Sequence, residues 1–274
     1  MNQTYLITGT QSPLGDNLIM ALLENNNRVI RILDDSATDV LSTQGTRIQG
    51  VSTTGETGAT GSRIPGTGIS GAKNPSAGAT GVPGNGPHDA DPLFGDDDQL
   101  EPEDYLEYTV NTRAALGVRG VLLAIEQQDW EIDHYIHLYH PDTRGKTLNE
   151  IDSVTLERIL DQNIKGALVP IREILGVFQA RGRGSLTLTC IGGLDTLLPP
   201  VHAAAFGALY ELGKSLFTLY QNEQVVLRGH HCPIDMSVGE VVQTLLELIQ
   251  TDNPKTRYRW NRGGAKQGLF GMRK

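Results

Sequence analysis

The chain has 274 residues, of which 38% are hydrophobic, and a formal net charge of −9. This length suits one large α/β domain or two smaller ones, and the apolar content is sufficient for a full core. The acidic balance without a basic stripe excludes a nucleic-acid surface, and the lack of any run of about 18 apolar residues excludes a membrane span.

The first part of the chain predicts a strand, a tight turn and a helix. Residues 4–8 (TYLIT) form a short apolar strand, the turn GTQSPLG follows, and DNLIMALLENNN has helical apolar spacing. RVIRIL at 28–33 predicts a second strand that runs into Asp34, and TRIQGV at 46–51 a short third strand. The order is therefore that of a βαβ unit.

The composition then changes abruptly. Residues 52–92 are dominated by Gly, Thr, Ser, Ala and Pro, and large apolar side chains are too few there to build a core. We expect a flexible insertion within a single domain that spans residues 1–274. The acidic stretch GDDDQLEPED at 95–104 is expected to start a helix, because residues 105–128 (YLEYTVNTRAALGVRGVLLAIEQQ) have helical apolar spacing.

Strands and helices alternate regularly in the second half of the chain. The pattern predicts strands over 132–140, 184–191 and 223–232, and helices over 155–182, 200–222 and 238–250. Such alternation indicates parallel strands joined by helical crossovers. The predicted fold is a doubly wound, mostly parallel Rossmann-type α/β sheet with helices on both faces and its ligand crevice at the carboxyl ends of the strands.

Three motifs resemble those of the short-chain dehydrogenases/reductases. TGTQSPLG (8–15) is similar to the family's TGxxxGxG turn, DQNIKG (161–166) to the segment around its catalytic Asn, and ARGRGSLTLTCIGG (180–193) to the stretch that leads to its catalytic Ser. The ending YRWNRGGAKQGLFGMRK and the segment CPID resemble ketoreductase domains of polyketide and fatty-acid synthases. The resemblance covers nearly the whole chain outside the Gly-rich segment and implies an NAD(P)-dependent oxidoreductase fold.

The resemblance also implies a dinucleotide site. Its residues here are Gly9, Thr10, Leu14, Gly15 and Asp34. Pro13 stands where the family has its central Gly, and it has no N–H to donate to a pyrophosphate. Asp34 suits a ribose 2′-OH and repels a 2′-phosphate, which favours NAD over NADP. In place of the family's NNAG signature the chain has LYHP, whose Tyr139 and His140 are bulky. We therefore expect NAD or NADP to bind weakly or not at all.

The motif YELGK at 210–214 has two interpretations. A Tyr one turn before a Lys can form a proton-donating pair, since the cation lowers the pKa of the phenol. In an active enzyme the resemblance would give Tyr210 and Lys214 this role, beside Asn163 and a hydroxyl at Thr189. The same motif is also common on half-exposed helices that have no catalytic role.

A count along the chain favours the second interpretation. Counting back from Pro233 puts the family's Tyr at His202 and its Lys at Phe206, so that Tyr210 and Lys214 lie two turns, about 11 Å, further along the helix. A helix that begins later would bring them back into register. If instead the counted register holds, His202 takes the place of the Tyr and could donate a proton, but it has no Lys one turn further on. On this register we expect no catalytic residues.

Other candidate residues have ordinary structural explanations. The family's Ser falls at Thr189 or Cys190, and a Cys in an apolar stretch is usually a small core residue. His134, His137 and His140 lie on a predicted strand with steps of three, which alternate between its faces, so no metal site is expected. Cys190 and Cys232 give no disulfide framework and predict reduced thiols in a cytoplasmic protein.

Two functional hypotheses follow. The first is a degenerate member of the family, a pseudoenzyme whose Rossmann-type scaffold binds a partner through the surfaces on which the family dimerises, either as a homo-oligomer or with another protein. The second is an active NAD(P)-dependent oxidoreductase acting on a carbonyl or alcohol, with Tyr210 or His202 as the acid, Lys214 as its partner and Asn163 organising water.

Overall fold

The computed structural model describes residues 2–35, 104–143, 146–192, 197–251 and 253–264. The predicted insertion at 52–92, the predicted strand at 46–51 and most of the acidic stretch at 95–104 lie outside these residues. The described residues nevertheless include the predicted nucleotide turn at 8–15, the strand ends that form the predicted crevice, and the YELGK motif at 210–214.

Within the described ranges, seven strands form one parallel sheet. They are β1 (Thr4–Thr8), β2 (Arg28–Asp34), β3 (Tyr105–Val110), β4 (His134–Tyr139), β5 (Ser185–Ile191), β6 (Val226–Cys232) and β7 (Trp260–Arg262). Their order in the sheet is β3-β2-β1-β4-β5-β6-β7, with every neighbouring pair parallel. The order reverses beside β1, which is where such sheets bind their ligands.

Helices cover both faces of this sheet. They are α1 (Pro13–Glu24), α2 (Ala115–Glu126), α3 (Ser153–Leu160), α4 (Gly166–Arg181), α5 (Pro200–Tyr220) and α6 (Val238–Gln250). One core lies between the sheet and helices α2, α4 and α5, and a second lies between the sheet and helices α1 and α6. The prediction of a doubly wound Rossmann-type α/β fold is confirmed.

Local sequence explains where several elements begin and end. Every residue of β5 is buried, as expected for a central strand covered on both faces. Helix α6 begins with a capping box, in which Ser237 accepts a hydrogen bond from the backbone N–H of Glu240 and the Glu240 carboxylate accepts one from the N–H of Ser237. This helix has the bounds that the sequence predicts.

The prediction of one helix over 105–128 is wrong in its first part. Tyr105–Val110 is strand β3, and only Ala115–Glu126 is helical. Over 107–110 exposed and buried residues alternate, with Glu107 and Thr109 exposed and Tyr108 and Val110 buried, which is the period of a strand at the edge of a sheet. The acidic stretch before this segment suggested a helix start, but pairing with β2 decides its conformation.

The helix predicted over 155–182 is interrupted. A π-helical turn of five residues, Asp161–Lys165, separates α3 from α4. Within it, the side-chain amide of Asn163 donates a hydrogen bond to the carbonyl oxygen of Ile159 at 2.7 Å. Such turns are frequent at functional sites because they displace side chains from the regular helical pattern.

Candidate functional site

A polar cleft of about 170 Å³ lies at the carboxyl ends of β1, β2 and β4. Its walls come from the turn after β1, the ends of β2 and β4, the residues that follow β3, and the π-helical turn. The polar side chains in its lining are Thr10, Gln11, Ser12, Asp34, Thr112, His137, Tyr139, His140, Gln162 and Asn163. This is the position at which an open parallel sheet binds its ligand.

Packing alone requires two glycines in the turn after β1. Gly9 has φ of +75°, and a Cβ there would lie 1.9 Å from the carbonyl oxygen of Leu138. A Cβ at Gly15 would lie 2.5 Å from the carbonyl oxygen of Thr10. Both contacts are too close for any side chain, so the motif is needed for the fold whether or not a nucleotide binds.

The first turn of α1 offers few donors to an anion. The helix begins at Pro13, which has no N–H, and the N–H of Gly15 donates to the carbonyl of Ser12 at 2.9 Å. Leu14 is buried in the core, and Asp16 adds a carboxylate to this turn. The usual attraction of a helix N-terminus for phosphate is therefore weakened.

Arg31 on β2 holds the turn in place. Its guanidinium donates to the hydroxyl and to the carbonyl oxygen of Thr10, each at 3.0 Å. It also forms ion pairs with Asp16 at 2.9 Å and with Glu107 at 3.5 Å. The positive charge beside the turn is thus already compensated by two carboxylates.

Asp34 lies at the cleft, at the end of β2. Its Oδ1 accepts hydrogen bonds from the N–H of Thr112 at 2.9 Å and from the Thr112 hydroxyl at 2.6 Å. Its Oδ2 is buried and has no partner among the described residues. The side chain of Gln11 donates to the backbone carbonyl of Asp34 at 3.0 Å. Asp34 therefore retains one oxygen that could accept a hydrogen bond from a ribose hydroxyl.

Tyr139 closes the cleft on the side of α5. It is only 2% exposed, and its hydroxyl donates to the backbone carbonyl of His202 at 2.9 Å, which joins the end of β4 to the first turn of α5. Burial raises the pKa of Tyr139. Burial also lowers the pKa of His140 and of His202, so both imidazoles favour the neutral form. The buried Nδ1 of His202 has no partner in the part of the chain that the structure describes.

A buried polar network forms the floor of the cleft. The hydroxyl of Thr8 lies 2.7 Å from the Tyr135 hydroxyl and 2.9 Å from Nδ1 of His137. Burial lowers the pKa of His137 to about 4, so its imidazole is neutral near neutral pH. The floor therefore carries no positive charge.

The lining residues could hold one ribose of a dinucleotide. The cleft is too small for the whole molecule, and its described lining has no positive charge for the pyrophosphate. Asp34 could hold a ribose hydroxyl, whereas a cleft of about 170 Å³ is smaller than the roughly 300–1,000 Å³ of ordinary ligand pockets. No Lys or Arg is among the described residues that line the cleft, and Asp34 adds a negative charge. A pyrophosphate placed here would meet little electrostatic compensation.

Tyr210 and Lys214 lie in a different groove. The Tyr210 ring stacks on Trp260 with centroids 4.7 Å apart, and Lys214 Nζ lies 5.2 Å from the Tyr210 ring centroid and 2.7 Å from Glu211. Both side chains line an outer groove of about 480 Å³ beside Trp260, and neither is among the residues lining the cleft. Because α5 has 21 residues from Pro200, the alternative of a helix that begins later is wrong.

The remaining predicted site residues separate into two groups. Gly9, Thr10 and Asn163 line the cleft. Thr189 and Cys190 are buried within β5, and neither is among the described residues of the cleft lining. Cys190 and Cys232 are free thiols, and burial raises the pKa of both. Within the described ranges, no three His, Cys, Asp or Glu side chains cluster so as to hold a metal ion.

Sequence analysis gave no role to four polar residues of the cleft, namely Gln11, Ser12, Thr112 and Gln162. Gln11, Ser12 and Gln162 are part of motifs that were recognised, but their side chains were not assigned a role. Thr112 follows β3, a segment interpreted as helix, so its position beside Asp34 could not be inferred. The alternation of polar and apolar residues over 107–110 was the signal in the sequence that would have identified the strand.

Comparison with solved structures identifies the fold. A short-chain dehydrogenase from Streptomyces avermitilis is similar with a TM-score of 0.61 and 11% identity, over 96% of this chain and 88% of that chain. Serine dehydrogenase from Escherichia coli gives 0.62 and 11%, over 95% and 96%. A short-chain dehydrogenase from Leptospira borgpetersenii with bound NAD⁺ gives 0.56 and 12%, over 94% and 80%. The chain has the short-chain dehydrogenase/reductase fold.

No protein-family model and no curated protein sequence matches the chain. None of the described helices is sufficiently long and apolar to cross a membrane.

Proposed function

We propose, from the short-chain dehydrogenase/reductase fold, that this chain is a degenerate member of that family whose scaffold binds a partner protein or a second copy of itself. In this proposal the exposed surfaces on which the family dimerises carry the function. Dinucleotide binding is at most weak, with NAD(H) preferred to NADP(H). The free thiols of Cys190 and Cys232 suit a cytoplasmic location.

The position of Tyr210 and Lys214 carries this proposal. Reduction of a carbonyl needs an acid beside the substrate and a cation that stabilises the developing charge. Here the Tyr210 ring is stacked on Trp260, and Lys214 pairs with Glu211 in the outer groove. The described cleft lining supplies His137, His140 and a buried Tyr139, whose pKa values are shifted away from proton donation near neutral pH.

One observation favours the active-enzyme alternative. Asn163 lies in the cleft lining within a π-helical turn, which matches the place where the resemblance implies a catalytic Asn. If the chain is an NAD(P)-dependent oxidoreductase, His202 at the start of α5 is the alternative acid to Tyr210, because Tyr139 links its backbone to the cleft wall. Burial lowers the pKa of His202 as it does that of His140, which makes it a weak proton donor near neutral pH.

Calorimetric titration with NADH and NADPH tests the proposal. We expect no dissociation constant below about 100 μM, which corresponds to a binding free energy of about −5.5 kcal/mol. Tighter binding of either dinucleotide, together with turnover of a carbonyl or alcohol that is lost in His202→Gln, would establish the enzyme instead. Tight dinucleotide binding without turnover would agree with the scaffold role but would contradict the weak dinucleotide binding proposed here.

A further inference from the structure

The cleft keeps unused hydrogen-bonding capacity in its lining. Oδ2 of Asp34 and the hydroxyl oxygen of Ser12 are both buried, and neither has a partner among the described residues. Leaving a buried polar atom unpaired is costly, and native proteins nearly always give such an atom a partner. Both residues line the cleft, so a ligand bound in the cleft is a candidate for that partner.

The free side-chain groups of the lining are mainly hydrogen-bond acceptors. The amide nitrogens of Gln11 and Asn163 donate to backbone carbonyls at 3.0 and 2.7 Å. Neither amide oxygen accepts a hydrogen bond from another described residue. The hydroxyls of Thr112 and Tyr139 also donate within the protein. Together with Oδ2 of Asp34, the two amide oxygens favour a ligand that brings donors.

The charge of the lining favours the same kind of ligand. Asp34 is the only carboxylate among the described residues that line the cleft, and no Lys or Arg lies beside it there. Burial lowers the pKa of His137 and of His140, so both imidazoles favour the neutral form. Gln162 is polar but uncharged. A cation therefore meets an uncompensated negative charge in the cleft, whereas an anion meets repulsion.

The size of the cleft restricts the ligand further. Its volume of about 170 Å³ equals the share of about six water molecules in the liquid. A ligand of about six non-hydrogen atoms fills it. The cleft thus suits a small organic cation better than a nucleotide.

The hydrogen bonds of Asp34 distinguish between classes of cation. Its Oδ1 already accepts two hydrogen bonds from Thr112, which leaves one free oxygen. A guanidinium binds a carboxylate best through two parallel hydrogen bonds, one to each oxygen, whereas an ammonium is a compact charge that needs only one. A calcium site usually combines several carboxylates with carbonyl oxygens, and the described lining has a single carboxylate.

We propose that the cleft binds a small aliphatic amine in its ammonium form. The ammonium group donates to Oδ2 of Asp34, and the amide oxygens of Gln11 and Asn163 accept its remaining N–H groups or those of a second amino group. This small-molecule site goes beyond the proposed scaffold role and does not depend on it. An amine held at Asp34 also occupies the position that a ribose of a dinucleotide would need.

Calorimetric titration of the full chain with small probes tests the proposal, near neutral pH and at about 0.15 M salt, where long-range attraction to an acidic protein is screened. Putrescine, butanediol and succinate share a four-carbon chain and differ in their end groups. We expect putrescine to bind with a dissociation constant of about 1 mM or below. The diol, which has no charge, and the dianion should bind at least about tenfold more weakly. Tetramethylammonium should also be about tenfold weaker, because it has the charge but no N–H.

Two variants that each remove one carboxylate provide the matched comparison. Asp34→Asn should weaken putrescine binding by about tenfold or more, while its amide oxygen can still accept the hydrogen bonds from Thr112. Asp35→Asn removes the neighbouring carboxylate, which is not among the described residues of the lining, and should change the affinity by less than about twofold. The probe series on the unaltered chain remains a test even if Asp34→Asn is unstable.

Several results would overturn the proposal. They are equal losses in Asp34→Asn and Asp35→Asn, the absence of any heat of binding with tens of millimolar putrescine, and binding of succinate, tetramethylammonium, guanidinium or Mg²⁺ as tight as that of putrescine. Because these probes carry neither a nucleobase nor a pyrophosphate, the outcome is independent of the titration with NADH and NADPH.

Discussion

The cleft and the groove between α2 and α4, which is lined by Leu122, Leu123, Trp130, Ile132 and Val177, lie at opposite ends of the strands and differ in size and polarity. The cleft measures about 170 Å³, is lined mainly by polar side chains, and is bounded by Tyr139 on the side of α5. The groove measures about 710 Å³ and exposes Leu123 beside Trp130. In this molecule the position at which the fold normally binds its ligand is largely filled, and the open apolar surface lies elsewhere.

The cleft also shows that packing can require a glycine motif whether or not a ligand binds there. Gly9 and Gly15 are required because the backbone of Leu138 and of Thr10 leaves no room for a Cβ. The interactions that only a dinucleotide would need, namely a free N–H at position 13 and a cation in the cleft lining, are missing from the described site. A glycine motif therefore predicts the fold more securely than it predicts nucleotide binding.

The largest expected effect comes from acid, which protonates three buried imidazoles of the sheet, one of them, His137, in the cleft floor. Burial lowers the pKa of His134, His137 and His230 to about 4 each. The unfolded chain binds these protons near pH 6.5, so their contribution to stability is complete above pH 6.5 and is lost as the pH falls toward 4. Between pH 7 and 5 the free energy of unfolding should fall by about 2 kcal/mol per imidazole, or on the order of 5 kcal/mol in all.

Urea unfolding at pH 7, 6 and 5 measures this loss. Carboxylates with lowered pKa values, such as Glu173 and Glu240, act in the same direction but only below their ordinary range near 4.5. An unfolding midpoint that stays constant from pH 7 to 5 would mean that the three imidazoles are not buried as described.

Alanine substitutions at two glycines compare the turn beside the cleft with helix α2. Gly9→Ala should destabilise the protein by about 3 kcal/mol or more, because the new Cβ meets the Leu138 carbonyl and the residue must keep a positive φ. Gly120→Ala, in α2, is the matched control, since a Cβ there meets no atom within 4 Å. It should stabilise the protein by up to about 1 kcal/mol. Chemical denaturation of both variants checks the difference in sign.

Dinucleotides should stabilise the folded chain only slightly. If the missing donor at Pro13 costs about 1–3 kcal/mol, affinity falls by tenfold to a hundredfold, and Tyr139 and His140 reduce the space further. With a dissociation constant near or above the millimolar ligand concentration, the midpoint should rise by no more than about 2 °C. NAD(H) should give the larger shift, since Asp34 repels a 2′-phosphate.

Thermal-shift measurements with NAD⁺, NADH, NADP⁺ and NADPH test this expectation, and Pro13→Ala provides the matched variant. Restoring the N–H at position 13 should enlarge the shift with NADH if the missing donor is the main cause. A large shift with micromolar NADPH would contradict both the low affinity and the preference for NAD.

The smallest effect is expected from Tyr210→Phe. The Phe ring can keep the stacking on Trp260, and Trp260 Nε1 donates to the backbone carbonyl of Tyr210, which the substitution leaves in place. Stability should change by less than about 0.5 kcal/mol, and any activity of the chain should persist. A hundredfold loss of turnover with a known substrate would assign Tyr210 to catalysis after all.

The sequence correctly predicted elements whose patterns are local. The buried run of β5 and the capping box of α6 each depend on residues within a few positions of one another. Strand β3 was assigned to a helix, because its alternation is short and lies between an acidic stretch and a truly helical segment. Strand β7 was not predicted at all, because three residues carry no periodicity. This strand can pair with β6 because the Trp260 ring packs between Gly213 and Gly229. A Cβ at Gly213 would lie 2.6 Å from that ring, and a Cβ at Gly229 would lie 2.4 Å from it.

By itself, the sequence determined the fold class, the glycine turn after β1 and the residues at the ends of β2 and β4. Only the tertiary structure decided what those residues do, because their partners are distant in the chain. Asp34 meets Thr112 across 78 positions, and Tyr139 meets His202 across 63. Periodicity reports which side of an element is buried, but the size of a cleft and the groove that receives Tyr210 depend on packing between elements that no local pattern encodes.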